Sequence, residues 1–246
     1  MLKITTLLFT LLISSALYAQ TVKLTTLNWP PYTEKSLKDL GFTSLIVTKA
    51  FEQAGYQVDI KIFPWKRAVK QGTTAGSQFS GVFPEYTDGC KAHQGLESNL
   101  IGRGPLAFIE KSGANIQWNS LSDLSQLKIG TVLGYANTPE FDKMAAEKKL
   151  KVKAAKDDLI NLKKVLKGRI NLAVIDENVF RYLQAQHPEF KSLKVNSKLL
   201  SEGIGLHICF RNDPKGKTLL KAFNQGLEKI NIQEITDNYL KALLKN

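Results

Sequence analysis

A few side chains in this sequence have the type and spacing to hold a small charged molecule. Trp29 and Tyr32 bracket Pro30 and Pro31, directly after the alternating run 22–27. The prolines stop a strand there and hold two aromatic rings at its carboxyl end. A ring face attracts a cation by about 0.5–2 kcal/mol. Asp176 follows the apolar run 170–175 and opens a helix. A carboxylate at such a place either caps the helix or accepts hydrogen bonds from a ligand. The segment Gly134-Tyr135-Ala136-Asn137-Thr138 leads from a strand into a helix. Its backbone N–H groups and the positive end of the helix dipole suit an anion. Thr138 doubles there as a helix cap, and Tyr135 faces either a ligand or the solvent. Arg67 and Arg103 are nearby cations, each open to a ligand role or to a salt bridge at a lobe surface or hinge.

Catalytic and metal chemistry are poorly represented. His93, His187 and His207 stand far apart without metal-ligand spacing. There is no Ser-His-Asp order and no nucleophile elbow. Glu85 is the one candidate for a general acid or base. The expectation is a non-catalytic binding protein that needs no metal and no cofactor.

The elements that position these residues alternate. Strand signals at 22–27, 58–63 and 79–83 are separated by helical spacing at 42–54 and a short helix at 65–71. A second set has strands at 127–133, 151–154 and 170–175, with helices opening at Thr138-Pro139-Glu140, at Asp157-Asp158 and around 179–183. This order predicts parallel sheets with helices on their faces. Strand-like runs at 105–111 and 204–210 lie between and after the two sets, and helices at 217–230 and 232–244 close the chain. The layout is two α/β lobes joined by two crossover strands, with the C-terminal part returning to complete the first lobe. A cleft between lobes is a common ligand site.

Residues 1–19 read as a secretory signal: Lys3, an apolar run from Ile4 to Leu17, then small residues ending at Ala19. Cleavage is expected after Ala19, with Ala16 as an alternative. The run is shorter than a membrane span of about 20 residues, and no Cys follows the cut to carry a lipid anchor. An exported, unanchored protein is expected. The formal net charge is +12, yet the lysines are scattered among Leu, Ala and Val rather than interleaved with aromatics. That pattern fits a solvated basic surface and not nucleic-acid binding. Cys90 and Cys209 are two cysteines in an exported chain, which suggests one disulfide, with two buried thiols as the alternative.

Taken in order, Trp29 to Tyr32, Gly41-Phe42, Pro64 to Arg67, 81–87, 127–134 and 166–176 resemble the amino-acid type (family 3) of periplasmic solute-binding proteins that feed ABC importers. The resemblance covers all of the chain after residue 19. It implies an α/β, two-lobed periplasmic-binding-protein fold of type II with two crossover hinge strands. The lobes divide as 20–108 for the first part of lobe 1, 109–205 for lobe 2 and 206–246 for the return to lobe 1. It also implies a periplasmic monomer that captures a small polar solute, an amino acid or an amine-containing derivative, and delivers it to an inner-membrane permease. On this reading Trp29 and Tyr32 face the ligand, and Phe83 and Glu85 lie on a ligand-lining strand. Tyr135, Asn137 and Thr138 hold its carboxylate, Asp176 takes its ammonium, and Arg67 is a further contact. Two departures stand out: Cys90 occupies the place of the family's carboxylate-binding Arg, and Glu85 that of a small hydroxyl residue. A thiol cannot form the bidentate pair that an Arg makes with a carboxylate. The competing expectations are a ligand-sensing module for a receptor partner, and an exported dehydratase on the same scaffold with Glu85 in the reaction.

Overall fold

A computed structural model describes residues 20–243. The expected signal segment lies outside the described residues. The first half holds β1 (Gln20–Thr26), α1 (Phe42–Gln53), β2 (Tyr56–Ile62), α2 (Trp65–Thr73), β3 (Gly81–Tyr86), the short α3 (Gly89–Ala92) and β4 (Leu96–Glu97). The crossover strand β5 (Gly102–Lys111) leads to β6 (Lys128–Val132), α4 (Pro139–Ala146), β7 (Lys151–Ala155), α5 (Asp158–Leu166), β8 (Leu172–Asp176), α6 (Glu177–Gln186) and β9 (Leu193–Val195). The second crossover strand β10 (Ser201–Phe210) returns the chain to α7 (Pro214–Leu227) and α8 (Ile232–Leu243).

One sheet runs through the molecule in the order β2-β1-β3-β10-β5-β8-β6-β7. In the first lobe β1 pairs parallel with β2 and β3; in the second, β6 pairs parallel with β7 and β8. The crossover strands β5 and β10 pair antiparallel with each other and with the flanking lobes. The lobe boundaries expected near residues 108 and 205 fall inside these two strands. Parallel strands need crossover helices, so the ends of β6, β7 and β8 all face the same edge.

Local chemistry explains where the helices start. Thr138, Asp157, Asp176 and Asp213 each accept a backbone N–H from the first turn of α4, α5, α6 and α7. Pro occupies the first turn of both α4 and α7, where its missing N–H costs nothing. Phe51 of α1, Phe210 of β10 and Phe223 of α7 meet with ring centroids 5.0 to 6.2 Å apart. The last helices therefore pack onto the first lobe, with α7 against α1. A second core forms around Phe108, Phe141, Leu172 and Val174 in the other lobe.

Cys90 and Cys209 are bonded, with Cα atoms 5.3 Å apart and a sequence separation of 119. The bridge ties the segment after β3 to the crossover strand β10. In the chain-entropy account, a loop of this length stabilises by about 4–5 kcal/mol. Replacing both cysteines with serine should lower the unfolding free energy by about that amount in urea titrations. Reductant should then weaken the wild type and leave the double variant unchanged; equal stabilities of the two proteins would contradict this.

Candidate functional site

The lobes meet around the carboxylate of Asp176, the last residue of β8. Its Oδ1 accepts from the backbone N–H groups of Asn178 at 2.9 Å and Val179 at 3.1 Å, capping α6. From the other lobe the Tyr32 hydroxyl donates to both oxygens at 3.1 and 3.0 Å. The Asn178 amide donates to that hydroxyl at 2.8 Å. Helix cap and interlobe contact are thus the same group. Asp176 pairs across the sheet with Leu106 of β5. Two residues earlier on β5, Gly104 leaves room: a Cβ there would sit 2.3 Å from Asp176 Oδ2 and 3.3 Å from the hydroxyls of Tyr32 and Tyr86. A side chain at 104 would displace the groups that converge.

Aromatic rings surround this point. Trp29 stacks on Tyr32 with centroids 4.2 Å apart and meets the edge of Tyr86 at 5.9 Å. A tight turn, with Tyr32 N–H and Thr33 N–H both donating to the Trp29 carbonyl, holds Trp29 and Tyr32 together. From α2, the Trp65 indole N–H donates to the Gly134 carbonyl in the opposite lobe at 3.0 Å, and its ring meets Tyr135 edge-on at 6.3 Å. Between these walls lies a space of about 20 Å³ lined by Trp29, Trp65, Glu85, Tyr86, Tyr135 and Leu206, room for about one water molecule. A larger solute does not fit this space. Beyond Trp65 and Tyr135 a groove of about 420 Å³ opens past Asn28, Lys156 and Asp157.

The expected site residues divide between the cleft and other positions. Trp29, Glu85 and Tyr135 line it, while Tyr32 and Asp176, bonded to each other, are buried outside its lining. Phe83 is fully buried in the core of β3. The Glu85 carboxylate is held by neighbours on its own segment: Oε1 accepts from Tyr86 N–H at 3.2 Å and Oε2 lies 3.5 Å from His93 Nε2. Gly89 makes room for it, since a Cβ there would stand 2.5 Å from Oε1. Asn137 is held by Asp142, whose oxygens accept from its backbone and side-chain nitrogens at 2.8 Å. Thr138 accepts from Phe141 N–H. Arg67 lies over the Phe63 ring at 4.8 Å on an exposed face. Exposed Arg103 points toward the Gly203 carbonyl between the crossover strands.

Two cleft residues carried no expectation of their own. Trp65 and Tyr86 sit inside segments singled out above for other members. Asp158 stands beside Asp157, which alone caps α5 by accepting from Ile160 N–H. Asp158 lies in the first turn of the same helix, where an acid suits the positive end of the dipole. Asp158 is 7% exposed. No group of three or more metal-ligating side chains occurs among the described residues.

Burial dominates the electrostatics of these acids. Removal from water raises Asp176 from 3.8 to about 7, against the pull of its backbone and Tyr32 hydrogen bonds. Burial and the charges of Asp176 and Asp157 raise Asp158 to about 8. Burial, with the Asp176 charge, also pushes the Tyr32 and Tyr86 hydroxyls well above their ordinary value. A raised carboxyl keeps its proton in the fold where the unfolded chain has already lost it. Stability from these groups therefore falls as pH rises from the ordinary 3.8 toward about 7 and about 8. Between about pH 5 and pH 8, the wild type should lose more unfolding free energy than the Asp158→Asn, Asp176→Asn double variant. Parallel profiles in urea titration would show that the carboxyls are not buried as described.

No protein-family model matches the chain, and none of the curated protein sequences does. Solved structures match nearly throughout. An ancestral arginine-binding protein bound to arginine is 21% identical over 90% of this chain and 97% of its own, with a TM-score of 0.74. The substrate-binding protein of an amino acid ABC transporter is 17% identical over 92% and 100%, at a TM-score of 0.70. The VFT2 domain of Bordetella pertussis BvgS is 14% identical over 90% and 92%, at 0.71. The sheet order, the paired crossover strands and these likenesses agree: the chain has the α/β, two-lobed fold of type II periplasmic binding proteins.

Proposed function

We propose that this is a non-catalytic periplasmic solute-binding protein. It captures a small polar solute, an amino acid or amine-containing derivative, as its lobes close, and passes it to an ABC importer in the inner membrane. The observation that carries this reading is the Asp176 carboxylate: buried between the lobes, walled by Trp29, Tyr32 and Tyr86, and paired with no lysine or arginine among the described residues. A buried carboxylate favours a cation that arrives to neutralise it. Lobe closure then follows because the solute touches both halves, and a ligand shifts an open–closed equilibrium by its extra affinity for the closed form. The likenesses to an arginine-binding protein and to the binding protein of an amino acid transporter support this class of solute. The likeness to a BvgS domain supports a second reading, in which the same closure reports to a sensor.

Micromolar affinity needs about 8 kcal/mol of net binding energy, within reach of a few charge-assisted hydrogen bonds and a ring over a cation. Thermal unfolding should be followed against amino acids, amines, organic acids and sugars. A solute at about 100 times its dissociation constant adds about 2.7 kcal/mol and raises the midpoint by several degrees. The expected shift comes from an ammonium-bearing solute and disappears in Asp176→Ala. A shift that survives in this variant removes Asp176 from the site, and shifts confined to sugars or organic acids overturn the reading.

A further inference from the structure

Two neighbouring spaces at the junction of the lobes have opposite linings. The inner one, about 20 Å³, admits a group the size of one water molecule. Among the described residues no lysine or arginine lines it, whereas Glu85 and Tyr86 do. Glu85 is 4% exposed and Tyr86 8%. Each carries an oxygen without a hydrogen bond among the described residues: Glu85 Oε2, 3.5 Å from His93 Nε2, and the Tyr86 hydroxyl. A buried oxygen left unpaired is costly unless a ligand supplies the partner. The Tyr86 hydroxyl stands 3.3 Å from the Cβ position at Gly104, and Asp176 Oδ2 is 2.3 Å from that same point. A cation beside this hydroxyl is therefore also near the Asp176 carboxylate.

The outer space is the groove of about 420 Å³. Leu27, Trp65 and Tyr135 line both spaces and join one to the other. The charges here are reversed. Lys35 lines the groove from the first lobe and Lys156 from the second, both exposed. The acid beside them, Asp157, is engaged as the cap of α5, and the Asn28 side chain accepts from Lys35 N–H at 3.4 Å. Two lysines on opposite walls of one groove suit an anion.

The pair of spaces selects at both ends. A primary ammonium is close to water in size and donates three hydrogen bonds, so it fits the inner space; a methylated one is too large. A carboxylate in that space meets no cation, and burying it beside Glu85 is costly. An α-amino acid carries both groups on one carbon and cannot send only its ammonium inward. Resting on the solute-binding reading above, we propose that the cleft takes an ω-amino acid. Its primary ammonium lies against Tyr86 and Glu85, its methylene stem runs along Leu27, Trp65 and Tyr135, and its terminal carboxylate lies in the outer groove between Lys35 and Lys156.

Calorimetry on the purified protein tests this with γ-aminobutyrate, δ-aminovalerate and ε-aminocaproate. Each is compared with its α-amino isomer, with its N-trimethyl derivative, and with the alkylamine that lacks the carboxylate. The best ω-amino acid should bind about ten-fold or more tighter than its α isomer and its N-trimethyl derivative, and several-fold tighter than the alkylamine. The Lys35→Gln, Lys156→Gln double variant, altered only at exposed positions, should erase most of the preference over the alkylamine and leave alkylamine binding unchanged. Tyr86→Phe should weaken the ω-amino acid several-fold, and the wild-type comparisons need no variant to fold. An α isomer or a trimethyl derivative that binds as tightly as the ω-amino acid overturns the proposal, as does a preference over the alkylamine that survives the double lysine variant. Binding of α-amino acids with no binding of ω-amino acids overturns it while leaving the solute-binding reading in place. No binding by any ammonium-bearing solute overturns both.

Discussion

The hydrogen bond between the Tyr32 hydroxyl and the Asp176 carboxylate is the contact around which the two lobes are arranged. It joins a turn after the first strand to the end of the last parallel strand, 144 residues later. It also fixes its neighbours. Tyr32 carries the stacked Trp29, Asp176 starts α6, and Gly104 keeps the crossover strand clear of both. The partners of Asp176 stabilise its charge, yet burial outweighs them and raises the carboxyl. A group held in geometry but short of countercharge is suited to recognise a cation.

The exterior and the cleft have opposite characters. The chain carries a formal net charge of +12, while the groups that converge between the lobes are acids and hydroxyls. At physiological ionic strength surface charge is screened over about 8 Å, so scattered lysines do little to repel a solute until it is close. Inside, water is excluded and the attraction of a buried acid is far stronger than it would be outside. Position in the fold, and not overall charge, sets the electrostatic character of the cleft.

The architecture was legible because its signals are local. Alternation at 22–27 and 58–63, the caps at Thr138 and Asp157, and glycines after helices depend on neighbours in sequence. The register of the edges was less so: the strand expected at 79–83 is Gly81–Tyr86, with Ser80 N–H already donating to the Lys23 carbonyl of β1 just before it. The site was legible where a residue sits at the end of an element, as with Trp29 and Asp176. It was obscured where the partner is distant in sequence. The Trp65 indole meets Gly134 across the cleft, a contact that no spacing encodes. The two acids at 157 and 158 look alike in sequence, and the path of β7 into α5 decides which one caps and which one faces inward.

The crossover strand β10 is the antiparallel neighbour of β3 and carries the cysteine that pairs with Cys90. Both arrive only after the whole second lobe. A chain emerging amino end first therefore has the edge of β3 uncovered, and Cys90 without its partner, until the crossover has followed. The second lobe has its own core and can begin to organise earlier. The wall of the cleft that holds Glu85 and Tyr86 is thus among the last parts to be finished, and an assembled cleft reports that the chain has been delivered nearly to its end.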